Sequence, residues 1–167
     1  MTDSGLDAKR AAMREEFDAR FAQPPLLPQA PGERLLALRI GASGFALRLS
    51  EISGIQAQKR IVPLPGGPDG FRGLAGIRGR LVAVYSLAAL LGIRGAGEEN
   101  WLVLTQGSEP IALAFPAFEG FIEESTLVPA QERDTEHVRE VLRAGSVVRG
   151  VIHLPSVVDA IQRRTRP

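Results

Sequence analysis

The segment Phe71–Gly92, FRGLAGIRGRLVAVYSLAALLG, carries three signals in immediate succession. Gly73, Gly76 and Gly79 recur every third residue, with Arg78 and Arg80 on either side of the last. Glycines so placed permit positive φ or close backbone approach, which predicts a tight, shaped loop over Gly73 to Arg80. Leu81 to Tyr85 is then β-rich, with Val82 and Val84 alternating against Leu81, Ala83 and Tyr85. Ser86 stands where a helix N-cap belongs, ahead of Leu87, Leu90 and Leu91, and Gly92 is the stop signal.

Before this stretch, Leu35 to Ile40 and Phe45 to Leu49 alternate with a period of two around Gly41-Ala42-Ser43-Gly44, which predicts a β-hairpin. Leu49, Ile52 and Ile55 follow at intervals of three, so one turn of helix would put them on a common face. Ile61 to Pro65 is extended and, with two prolines, suits a sheet edge. After the polar break Arg94–Asn100 a second hairpin is expected, Trp101–Leu104 turning through 106–110 into Ile111–Phe115. Thr126 to Arg143 is polar and charged and reads mostly as loop, with a short helix near Thr135–Leu142. Val147 to Leu154 is strand-like, and a helix from Ser156 to Arg163 closes the domain behind Pro155. At the other end Ser4-Gly5-Leu6-Asp7 matches a capping box. An amphipathic helix is expected from there to about Ala22, then a Pro-rich linker to Gly32.

The 167 residues carry 20 basic and 19 acidic side chains, a balance that argues against general affinity for nucleic acid. Cys is absent, so no disulfide framework, thiolate nucleophile or thiolate metal site is available. No apolar run reaches the roughly 18 residues of a membrane span, and no signal-peptide core is evident, so a cytoplasmic location without membrane insertion is expected. Only two histidines exist. His153 falls within a predicted strand and reads as structural, His137 falls in the charged segment and reads as solvated, and the acidic pair Glu98-Glu99 reads as solvated loop. The glycines at 73, 76 and 79 spell neither phosphate-binding fingerprint. With no nucleophile beside a base and no ligand cluster, the expectation is a non-enzyme without cofactor or metal.

The two halves also resemble each other. Phe45-Ala-Leu-Arg-Leu-Ser-Glu-Ile-Ser-Gly54-Ile55 lies over Ile111-Ala-Leu-Ala-Phe-Pro-Ala-Phe-Glu-Gly120-Phe121 without a gap, which sets Leu49, Ile52 and Ile55 over Phe115, Phe118 and Phe121. Leu81–Val84 can be laid over Val151–Leu154 and Ser86 over Ser156, leaving Gly73 to Arg80 with no counterpart. Two small β-barrels of like topology, each closed by a short helix, account for this order and limit exposed edges. Leu49, Ile52, Ile55, Phe118 and Phe121 then either form a hydrophobic groove for a partner helix or pack only against one another as the interbarrel core.

The quoted segment resembles the signature of CheW-type chemotaxis coupling proteins, G-V-I-N-L-R-G-x-I-V-P-V-V-D-L-x-x-L-L-G, here as Gly73-Leu74-Ala75-Gly76-Ile77-Arg78-Gly79 through Ser86-Leu87 to Leu90-Leu91-Gly92. The hairpins, the Glu51-Ile52 turn, the proline-bearing strand and the terminal strand-helix fit the same family over about Glu33 to Arg163. The resemblance implies a mainly β fold of two SH3-like five-stranded barrels over 33–163, divided near 93–100. A helix and linker over 1–32 precede it and a basic tail, 164–167, follows. It further implies a non-catalytic adaptor at cytoplasmic receptor arrays, joining the signalling tip of methyl-accepting chemotaxis receptors to the regulatory domain of a CheA-type histidine kinase. By position, Arg78 matches the motif arginine near both contacts. Leu49, Ile52, Ile55, Phe118 and Phe121 match the apolar groove for the receptor helix, and Glu51 the acidic residue beside it. Gly76, Ala83 and Ser86 depart from the pattern's Asn, Pro and Asp. A small-ligand-binding or enzymatic β-barrel, or a decoy that binds the kinase without bridging, are the alternatives.

Overall fold

The structure, a computed structural model, describes residues 32–123, 126–131 and 136–166. The expected N-terminal helix and most of its linker lie outside the described residues. The first hairpin is β1 (Leu35–Ile40) and β2 (Ser43–Arg48), followed by a 3-10 turn at Leu49–Glu51 and strand β3 (Ile52–Ala57). Next come β4 (Ile61–Val62), β5 (Phe71–Ile77), β6 (Arg80–Ser86) and helix α1 (Leu87–Leu90). The chain continues through β7 (Trp101–Thr105), β8 (Ala112–Phe115), β9 (Ala117–Ile122), β10 (Thr126–Pro129), β11 (Val138–Ala144), β12 (Val147–Ile152) and helix α2 (Leu154–Thr165).

These strands form two six-stranded sheets, ordered β10-β11-β12-β2-β1-β9 and β3-β7-β8-β6-β5-β4. All neighbours are antiparallel except β12 with β2 and β6 with β8. Neither sheet is a barrel. The expectation of two closed five-stranded SH3-like barrels is therefore corrected to two open, mixed sheets. Closure would require the edge strands of one sheet to share a backbone ladder. Here β9 and β10, and likewise β3 and β4, stand at opposite ends without pairing. Two of these edges are short and bounded by proline: β4 has two residues before Pro63, and β10 ends at Pro129.

Read from opposite ends, the two sheets have the same topology, so β4, β5 and β6 correspond to β10, β11 and β12. The halves have exchanged hairpins: β1–β2 joins strands of the second half, and β7–β8 joins strands of the first. Val84 lies opposite Ala112 as Val151 lies opposite Ala46, so Ser86 corresponds to His153 and not to Ser156. The alignment suggested by sequence is off by three residues there. Gly73–Arg80 also has a counterpart, since β5 matches β11.

The central core draws Leu38, Phe45 and Leu47 from one sheet, Tyr85, Val103, Leu113 and Phe115 from the other, and Leu87, Leu154, Val157 and Ile161 from the helices. Opposite faces of the same strands bury two smaller clusters, one including Ala75, Ile77, Val82 and Leu104, the other Leu35, Ala46, Leu142 and Val151. Strands buried on both faces lose a clean alternation, which is why Leu35–Leu38 is an unbroken buried run.

Two local expectations change. Within the segment read as loop and helix, the described residues Thr126–Pro129 and Val138–Arg143 belong to the paired strands β10 and β11. A register shift in β11 between Val138 and Glu140 breaks the alternation that would have marked it as a strand. Gly73–Ile77 is strand rather than loop, and the turn is only Arg78-Gly79, between the paired Ile77 and Arg80. Gly73 has φ +135, and a methyl group there would lie 2.0 Å from the Val62 carbonyl oxygen, so only glycine lets β4 approach β5 at that point.

Candidate functional site

Arg78 occupies the first position of a two-residue hairpin turn, with φ of 51 at Arg78 and 76 at Gly79. Two consecutive positive φ values define a type I′ turn, whose twist matches the flanking strands and which favours Asn-Gly. A long side chain in this conformation is costly to the fold. Arg78 is exposed, and its guanidinium reaches back over the edge strand β3: a methyl group on Gly54 would lie 3.1 Å from one of its nitrogens.

The apolar candidates are set by two matching irregularities. In β3, Ile52 pairs with Thr105 and Gly54 with Leu104, leaving Ser53 as an extra residue. In β9, Phe118 pairs with Leu38 and Gly120 with Ala37, leaving Glu119 extra. A bulge restores residues three apart to the same face of a strand. Ile52 and Ile55, and Phe118 and Phe121, can therefore share a face although none of them is helical. Leu49, Ile52, Ile55 and Phe118 are half-buried against the central core. Phe121 is 53% exposed, its ring 5.3 Å from that of Phe118, which in turn lies 5.1 Å from Trp101. The five residues thus divide into four that pack inward and one free aromatic at the edge.

Glu51 is engaged within the fold. Its Oε2 accepts a hydrogen bond from the Leu154 backbone N–H at 3.0 Å, and its carbonyl accepts one from Gln106 N–H. It thereby satisfies one of the unpaired donors at the start of α2. The rest of that helix start is closed by histidines. His153 Nδ1 accepts from the Ser156 N–H, Ser156 Oγ donates to the His153 carbonyl at 2.8 Å, and His137 Nδ1 lies 3.0 Å from Ser156 Oγ. His137 is buried, not solvated as its charged neighbourhood suggested, and burial pushes its pKa down, so it is held neutral. The arrangement caps a helix. Ser156 is engaged with a carbonyl and is no activated nucleophile, and among the described residues no three His, Asp or Glu side chains gather into a metal site.

The sequence family of the CheW-like domain matches residues 34–162. The chain belongs to the CheW-like domain family. The solved structure of the scaffolding protein TtCheW from Thermoanaerobacter tengcongensis has the same fold, with a TM-score of 0.64 and 16% identity over 72% of this chain and 88% of that one. Among curated proteins nothing matches. Membership supports the general function of a CheW-like chemotaxis adaptor. No described helix is long and apolar enough to cross a membrane.

The CheW-like pattern has Asp at position 86; here Ser86 caps α1 by accepting from Ala89 N–H at 3.2 Å. Its hydroxyl donates to Glu99 Oε1 at 2.5 Å, so the carboxylate beside this helix start comes from a residue thirteen positions later. Glu99 is not the solvated loop residue its sequence context suggested: its side chain is 5% exposed, with Oε2 3.3 Å from Arg72 Nε and no hydrogen-bond partner of its own. Burial raises its pKa against the opposing effects of Ser86 and Arg72. A carboxyl whose folded pKa is raised binds more protons folded than unfolded, so it costs stability as pH rises through that range. Glu99→Gln is expected to stabilise the protein at pH 8 by about 1 kcal/mol and to flatten the decline in urea midpoint as pH rises above the usual carboxylate range. An unchanged pH profile would mean that the Glu99 carboxylate is not dehydrated in solution.

Proposed function

We propose that this adaptor holds the signalling tip of a methyl-accepting chemotaxis receptor and the regulatory domain of a CheA-type histidine kinase at the same time, in the cytoplasm at receptor arrays. The observation that carries the reading is the chemistry of edge strand β3. Ile55 pairs with Val103 of the central core, whereas Gly54, beneath the Arg78 guanidinium, pairs with Leu104 of the second cluster. One strand thus separates a cationic side from a side whose Ile52 and Ile55, like Leu49 and Phe118, pack against the central core, with Phe121 the exposed member of the apolar set. An amphipathic receptor helix suits the apolar set, and an acidic kinase surface suits the cationic side. Glu51 contributes by fixing the start of α2. A small-ligand site has little support. The cleft of about 350 Å³ beside α2 is open and lined in part by Leu154, Pro155 and Val158. Of its polar residues Ser50, Glu51, Thr105, Gln106 and Asp159, Glu51 is engaged with Leu154 N–H and Thr105 with Ile111.

The test is ternary capture. The full chain, immobilised, is expected to retain a receptor-tip fragment and a kinase regulatory domain together, with neither displacing the other. Mutual displacement would replace the bridging reading with that of a decoy, and retention of neither would end the adaptor assignment to these partners.

A further inference from the structure

The β9 bulge is held by a charged tether that crosses the whole of its neighbourhood. Arg149 starts on β12 and passes over β2 at Gly44, where a methyl group would lie 2.9 Å from Nη1 and 3.3 Å from Cγ. Its Nη1 donates to the Leu38 carbonyl of β1 at 3.3 Å and stands 2.5 Å from Glu119 Oε2 on β9. Arg39 Nε, on β1, donates to the other carboxylate oxygen at 2.7 Å. One arginine side chain therefore links β12, across β2, to the backbone of β1 and the Glu119 side chain of β9, and glycine at position 44 leaves its path open. Glu119 is the extra residue of the bulge, the one that has no partner in the ladder. Its counterpart in the other half, Ser53, is likewise tied by its own side chain, with Oγ donating to the Thr105 carbonyl at 3.2 Å.

We propose that Glu119 is a positioning residue: held by Arg39 and Arg149, it pins the β9 bulge and so turns Phe118 and Phe121 onto one face for the receptor helix. The inference rests on the groove reading above. A one-residue slip in a strand sends its side chains to the other face, so an unpinned bulge would dissolve the Phe118–Phe121 pair and leave the individual residues intact. Arg39 and Arg149 outweigh what dehydration there is and hold the Glu119 carboxyl below its usual range, consistent with two close cations.

The chain offers its own reporter, because its single Trp, Trp101, lies against Phe118. In the full-length chain, Glu119→Gln is expected to shift Trp101 emission to the red and to weaken binding of a receptor-tip fragment about tenfold, with kinase-domain binding unchanged. Gly44→Ala, which keeps every charge and crowds Arg149, is expected to act in the same direction. Should Glu119→Gln not fold, Arg39→Gln removes one of the two partners and is read in the same way. Unchanged emission and binding in these variants would overturn the pin, as would a loss of thermal stability alone with emission and binding intact. A wild-type chain that fails to bind the tip would sink the groove reading instead, and Trp101 emission of the free variants would still decide the pin.

Discussion

Replacing Arg78 with Asn is expected to raise the melting temperature by about 3 °C while weakening capture of the kinase regulatory domain about thirtyfold. The two effects have opposite signs because position 78 serves the turn poorly. The type I′ geometry, with φ of 51 at Arg78, is what Asn-Gly adopts most readily, and a long residue there costs roughly 1 kcal/mol relative to one suited to the left-handed region. Gly79 stays in place, so the substitution completes the favoured pair. Arg78 is exposed and lies over Gly54, so its removal opens no cavity in the core. A side chain retained against local preference, on an exposed tip, fits a binding role. Thermal unfolding and calorimetric titration on one preparation measure both quantities. A variant that is more stable and binds as well as wild type would remove Arg78 from the interface.

The second large effect is expected at the other face. Phe121→Ser should reduce affinity for the receptor tip about thirtyfold, some 2 kcal/mol, with unfolding free energy changed by less than about 1 kcal/mol. Phe121 is the member of the apolar set that is 53% exposed, so little of its burial is lost when it is truncated in the free protein. Its ring rests on Phe118, and Phe118 rests on Trp101, so a partner helix that covers Phe121 extends an aromatic row rooted in the core. Ile52 or Ile55 would be poorer probes, because both pack inward and a polar substitution there would also loosen the fold. Tip affinity equal to wild type in the Phe121 variant would show that the edge of β9 is not the receptor surface.

Much of the local structure was legible. The period of two around Gly41-Ala42-Ser43-Gly44 gave β1 and β2, although Ser43 and Gly44 belong to β2 and the turn is only Gly41-Ala42, with Gly41 at φ +60. Ser86 was recognisable as a cap, and Pro155 falls in the first turn of α2 as expected. Two of the failures share a cause. A register irregularity in β11 breaks the strand alternation that would have marked Val138–Ala144 as a strand, and another in β3 gives Ile52 and Ile55 the spacing that suggested a helical turn. A bulge is defined by its partner strand, which a single window of sequence does not contain. The charged residues show the same limit. Glu99 and His137 lie in polar stretches, yet both are dehydrated, and Glu119, set among Phe118, Gly120 and Phe121, is clasped by two arginines from other strands.

By itself, then, the sequence determined what short-range chemistry can determine: alternation, turn residues, caps, the repeat of Phe45–Ile55 in Ile111–Phe121, and the motif around Arg78 that led to the CheW-like family. Only the tertiary structure decided that the sheets stay open, that the halves exchange hairpins, and that the turn at Arg78 is two residues long. It alone brought Glu119 between Arg39 and Arg149, and Arg78 over Gly54. The physical reason is range. Backbone propensity acts over a few residues, whereas ladder closure, bulge register and ion-pair partners depend on strands that meet from distant parts of the chain.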